Sequence, residues 1–172
     1  MLTKTDLSLE NIINEMLDMT IEEDRYVAPW TQTKWVSLSS LLFIFPCIYG
    51  VINKQYFLSA ILFMLSVISV IFWVDATYSW RRLLDRIFAK LTFSIFLVSG
   101  MMYVTSFFYS VLAYTGLFSS MYCYYMSTKY CALNNNELWW KYHVTFHIIV
   151  TIIQFIIMKS AIEYDKRRIK RK

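Results

Sequence analysis

Apolar residues in this chain come in long runs without charge rather than in short alternating stretches. Residues 35–52 and residues 56–74 contain no Asp, Glu, Lys or Arg, and Asn53-Lys54-Gln55 between them reads as a tight turn. A run of about 20 apolar residues, coiled as a helix, matches the hydrocarbon thickness of a bilayer. Trp35 opens the first run as interfacial aromatics do. Pro46 is expected to kink it, which a helix bundle tolerates.

A polar connector follows over residues 75–90, holding Arg81, Arg82, Asp85, Arg86 and Lys90. Leu83, Leu84 and Phe88 among those charges suggest a short interfacial helix or an early start to the next span. Residues 91–128 are again free of charge. One helix over them would be roughly 57 Å long, nearly twice the hydrocarbon core. The pattern therefore predicts two spans, 91–108 and 110–128, turning near residues 106–110; the alternative is one span followed by a Tyr-rich interfacial segment. A polar loop with Asn134-Asn135-Asn136 leads to Trp139 and Trp140, which mark an interface. A last span covers residues 142–158, and residues 159–172 form a basic tail.

Residues 1–34 differ in kind. They hold Asp6, Glu10, Glu15, Asp18, Glu22, Glu23 and Asp24 against Lys4, Arg25 and Lys34. Leu9, Ile12, Ile13, Met16 and Leu17 recur at helical spacing, so an amphipathic helix is expected there, capped by Thr5 or Asp6. A cleavable signal would instead begin basic and turn apolar early. The acidic face suits docking on the protein's own surface better than anionic lipid. The predicted fold is thus an all-α polytopic membrane bundle of about five transmembrane helices, with an N-terminal amphipathic helix. Four spans are the alternative, because they gather the basic 75–90 connector and the basic tail on one side, as the positive-inside rule prefers.

Composition agrees. Of 172 residues, 58% are hydrophobic, 19% aromatic and 17% charged. A soluble domain has about 45–50% apolar and about 25% charged residues, so too few polar side chains remain to cover a globule. The net charge of +5 is concentrated in Lys166-Arg167-Arg168-Ile169-Lys170-Arg171-Lys172. Such a cluster directly after an apolar helix points to anionic lipid headgroups rather than nucleic acid. Lys170 and Arg168 also partly match a dilysine retrieval pattern, which would place the protein in early secretory membranes of a eukaryotic cell. Cys47 is expected to be packing. Cys123 and Cys131 either pair, if their segment faces an oxidising lumen, or stay as free thiols. Gly50, Gly100 and Gly116 form no phosphate loop.

Among the polar groups within or beside the spans, those that could carry chemistry are Ser66, Ser69, Asp75, Asp85, His143 and His147. An ionisable group inside a span costs about 2.5–3.5 kcal/mol on insertion scales, so it sits near an interface, is paired, or is functional. His143 and His147 are four apart, which on a helix places both imidazoles on one face with Cβ atoms about 5–6 Å apart. That geometry serves two metal ligands or a plain interfacial pair. Val144 stands where a zincin would have its glutamate. Asp85 can be a metal ligand or a salt-bridge partner of Arg81, Arg82 or Arg86.

Ser69, Asp85 and the His143-x-x-x-His147 pair together resemble the motifs of the CREST superfamily, the alkaline ceramidases and related seven-span membrane proteins. That family carries Ser-x-x-x-His near the end of its second span, an Asp at the start of the third and His-x-x-x-His in the last. The resemblance implies zinc held by histidines, with Ser and Asp assisting. Here the first histidine's position is Trp73, which cannot ligate zinc, and Asp75 is the nearest replacement. Five spans, unlike four, put Asp85 and the histidine pair on one side of the bilayer. The first functional reading is a non-catalytic multi-pass membrane protein, a CREST-like chain without its metal. The alternative is a zinc-dependent lipid amidase or related hydrolase. In that case His143, His147, Asp85 and Asp75 hold the metal, Ser69 and Asp85 assist catalysis, and the substrate is a lipid.

Overall fold

The structure is a computed structural model that describes residues 26–133 and 137–170. The amphipathic helix expected within residues 1–25, the Asn134-Asn135-Asn136 turn and the last two basic residues lie outside the described residues. Five helical stretches account for nearly all of the rest: α1 Trp30–Ile52, α2 Tyr56–Val74, α3 Trp80–Tyr103, α4 Phe107–Ala132 and α5 Trp139–Ile169. No strand occurs among the described residues, although Tyr26 and Thr77 form an isolated antiparallel bridge. Three of the helices, α1, α2 and α5, are long and apolar enough to cross a membrane.

Local chemistry sets the boundaries. Pro46 has no N–H to give to the carbonyl of residue 42, and its ring crowds that carbonyl. The chain tightens there into a 3-10 turn, Leu41–Phe43, before α-helix resumes. At the end of α1, Lys54 adopts φ 65°. Gln55 N–H donates to the Gly50 carbonyl at 2.8 Å and Lys54 N–H to Val51 at 3.0 Å. These two bonds make a Schellman cap with lysine in the left-handed position usually given to glycine.

The charge-free run over 91–128 does break into two helices, at residues 104–106, slightly earlier than its sequence suggests. The two do not pack as a pair; each leans on α5, and α4 packs chiefly there. The connector is shorter than its charges imply. Residues 80–90 are already helical, with Ser79 extended before the first turn. Likewise α5 continues through the basic stretch to Ile169. Lys, Arg and Glu are good helix formers, and cations suit a helix C-terminus.

Helix α5 is the hub, packed on α1, α3 and α4, while α2 closes the bundle between α1 and α3. Small residues allow these approaches. A Cβ on Gly50 would clash with Ser59 Oγ and lie 2.7 Å from Met158 Cε; one on Gly116 would lie 2.8 Å from Ile153 Cγ1. Two apolar clusters result. One joins Leu58, Leu62, Phe96, Ile157 and Met158. The other joins Val36, Phe72, Trp73 and Trp139. Cys123 and Cys131 are free thiols. Both lie on α4, eight residues or about 12 Å apart along the axis, beyond the roughly 7 Å Cα separation that a disulfide can span.

The chain alternates between two ends of the bundle. At one end Val27 N–H donates to the Ala76 carbonyl at 2.7 Å, Trp139 Nε1 donates to Gln32 Oε1 at 2.7 Å, and Trp35 stacks on Trp140. At the other, Gln55 Nε2 donates to Asp165 Oδ2 at 2.5 Å and Lys159 Nζ to the Tyr109 hydroxyl at 2.6 Å. The histidines lie toward the first end, the basic tail at the second.

Candidate functional site

His143 and His147 stand one turn apart on α5, and the helix does bring their rings together: the centroids are 4.8 Å apart, edge to face. Each ring meets a different wall. His147 is buried, with its Nδ1 2.8 Å from Ser39 Oγ of α1 and Phe43 edge-on at 5.2 Å. His143 has its Nδ1 3.2 Å from Ser127 Oγ of α4. The indole of Trp73, from α2, meets the His143 ring edge-on at 4.9 Å, and Trp139 lies on at 6.4 Å. The Ser39 hydroxyl also lies 2.8 Å from the Val36 carbonyl. A carbonyl can only accept, so the single hydroxyl hydrogen goes there. His147 Nδ1 must then carry the proton it gives to Ser39.

A second polar thread runs beside the first. Ser69 of α2 lies beside the Asp85 carboxyl of α3. Ser40 Oγ lies 3.2 Å from Ser69 Oγ, and Ser66 Oγ donates to the Ser40 carbonyl at 2.9 Å. Because Ser39 and Ser40 are consecutive, the Asp85–Ser69–Ser40 thread and the Ser39–His147–His143–Ser127 thread meet on α1. Four of the residues singled out in the sequence thus lie along one polar seam, Ser69 and His147 buried and Asp85 and His143 half-buried. Asp85 reaches it through serines rather than by touching an imidazole.

Asp75 is elsewhere. Its carboxylate pairs with Arg81 at 2.5 Å where α2 ends, 44% exposed. The cation six residues away, in the first turn of α3, wins over a buried position beside Trp73, where a carboxylate would lose its solvation. The sequence does not single out Ser39, Ser40 or Ser127. A serine pair in the middle of an otherwise apolar span is the one signal that points to Ser39 and Ser40.

Zinc needs four ligand atoms at about 2.0–2.2 Å in a tetrahedron. Among the described residues no group of three or more His, Cys, Asp or Glu side chains is placed to hold a metal ion. Trp73 lies against the His143 ring, and Asp75 pairs with Arg81. The side chains as arranged do not fit the metal. No family model, curated protein or solved structure matches the chain.

Proposed function

We propose that this chain is a non-catalytic, five-span integral membrane protein whose histidine pair and Asp85 are packing elements of a polar seam, a CREST-like arrangement without its metal. The observation that supports this most is the Trp73 indole lying against His143. A tryptophan there fills the volume that a third ligand would need and gives the imidazole an aromatic wall. Serine hydroxyls provide the polar contacts that buried imidazoles require in a bilayer. Helices α3 and α4, of 24 and 26 residues, are long enough to cross at about 1.5 Å per residue. The bilayer is the principal partner. Anionic headgroups are attracted to Lys166, Arg167, Arg168 and Lys170, all exposed at the end of α5. A cytosolic tail with Arg168 and Lys170 would suit early secretory membranes.

The second reading is the zinc-dependent lipid amidase. What favours it is that Ser69, Asp85, His143 and His147 share one seam, and that the Nδ1–H of His147 is held by Ser39, which leaves Nε2 in the form that binds metals. Metal analysis of the detergent-purified protein separates the two. The first reading expects well under one zinc per chain after dialysis against zinc-buffered solution. One zinc per chain, lost when His147 is changed to Ala, would overturn it in favour of the second.

A further inference from the structure

Helices α1 and α4 both pack on α5 but not on one another, which leaves a groove between them with α5 as its floor. The α5 positions on either side of that floor are taken. His147 meets Ser39 and Phe43 of α1, and Ile149 and Ile153 face Gly116 of α4. Between them Ile148, Ile152 and Phe155 follow at intervals of four and three, which is one stripe of a helix. They are 43%, 56% and 38% exposed. Four residues further on, the same stripe reaches Lys159.

The groove thus has an apolar floor and a cation at its basic end. Lys159 Nζ donates to the Tyr109 hydroxyl of α4 at 2.6 Å and lies 5.0 Å from the centroid of that ring. On the α1 side Tyr49 stacks on Phe155 at 4.7 Å and is within electrostatic reach of Lys159. The ammonium therefore stands between the two walls. It has three N–H donors, of which Tyr109 accepts one. Glu163, one turn on, acts on it only at a distance, and among the described residues no carboxylate forms an ion pair with Lys159. Lys141 opens the same stripe eighteen residues earlier, about 27 Å along the axis. That separation is close to the hydrocarbon thickness, so Lys159 stands at headgroup level.

We propose that the groove between α1 and α4 holds one phospholipid, its phosphate on Lys159 and an acyl chain along Ile148, Ile152 and Phe155. A phosphodiester is an anion with free acceptor oxygens, which suits the two remaining N–H groups of the ammonium. The chain methylenes suit the floor. The site is distinct from the exposed basic residues at the end of α5. It rests on the membrane-spanning function proposed above, and stands whether or not the histidines ever bind metal.

The test is native mass spectrometry of the full chain in detergent, with dioleoylphosphatidylglycerol added as the probe. One retained lipid per chain is expected. Lys159→Met should weaken retention about tenfold, the worth of one charge-assisted hydrogen bond, and Lys159→Arg should largely restore it. Serine at residues 166, 168 and 170 together should leave retention unchanged. On the parent chain, dioleoylglycerol, which has the acyl chains without the phosphate, should be held about tenfold more weakly, and inorganic phosphate should not displace the phospholipid. The site is overturned if Lys159→Met holds lipid as the parent does, if the tail variant loses it, if dioleoylglycerol is held equally well, or if inorganic phosphate displaces it. Flotation with phosphatidylglycerol vesicles checks the membrane reading separately. Parent and Lys159→Met chains should both float; failure of both would overturn the membrane reading, and the lipid site with it.

Discussion

Ser39 decides how His147 sits. It is the only side chain with a hydrogen bond to that ring among the described residues, at 2.8 Å and in a buried setting. Ser39→Ala would leave Nδ1–H unpaired and lower stability by about 1–3 kcal/mol. Chemical unfolding in detergent checks this, and an unchanged midpoint would contradict it. Trp73 offers a sharper test at the same scale. If it stands in the position of a lost ligand, Trp73→His should place a third imidazole beside His143 and raise zinc binding above that of the parent chain. Equal zinc content in the two would separate this chain from the CREST pattern. At this scale the sequence reveals geometry within one helix better than partners across helices. The four-residue spacing of His143 and His147 is enough to put their rings together. Ser127 and Ser39 carry no such signal, since a serine in an apolar helix gives no clue to the neighbour it will face. Asp75 shows the opposite limit: its charge made it a candidate, but the nearest guanidinium claims it.

Among the elements, the turn after α1 holds a removable strain. A β-carbon in the left-handed region costs about 1–2 kcal/mol, and Lys54 carries one. Lys54→Gly should therefore stabilise the α1–α2 hairpin by up to about 1 kcal/mol, after the added entropy of the unfolded chain is subtracted. A lower unfolding midpoint would show that the lysine side chain contributes more than its backbone costs. Helix α4 is attached most narrowly, chiefly to α5, with Gly116 against Ile153. Gly116→Leu should force the two helices apart at a cost of about 1–3 kcal/mol or more. The expected readout is faster proteolysis within residues 107–132 while α1–α2 stays protected. Charge-free length was sufficient to mark α1, α2 and the break within 91–128. It understated α3 and α5, because their outer turns are helical but polar, and a reading based on apolar runs takes such turns for connectors.

At the scale of the whole molecule, the bundle has two unlike ends. One gathers the start of α1, the 75–79 connector and the start of α5; the other gathers the 53–55 turn, the 104–106 break and the basic end of α5. An odd number of alternating helices puts the start of α1 and the end of α5 at opposite ends. Basic residues flank both ends, so the positive-inside rule does not by itself choose between four crossings and five. Three of the helices, α1, α2 and α5, are long and apolar enough to cross, and the proposal of five rests on α3 and α4 crossing as well. Single cysteines placed at the exposed residues 26 and 169, in a chain freed of Cys47, Cys123 and Cys131, can be labelled with a membrane-impermeant thiol reagent in sealed vesicles. Five crossings predict that one position reacts from outside only and the other only after the vesicles are opened. Reaction of both from the same side would contradict the five-span bundle.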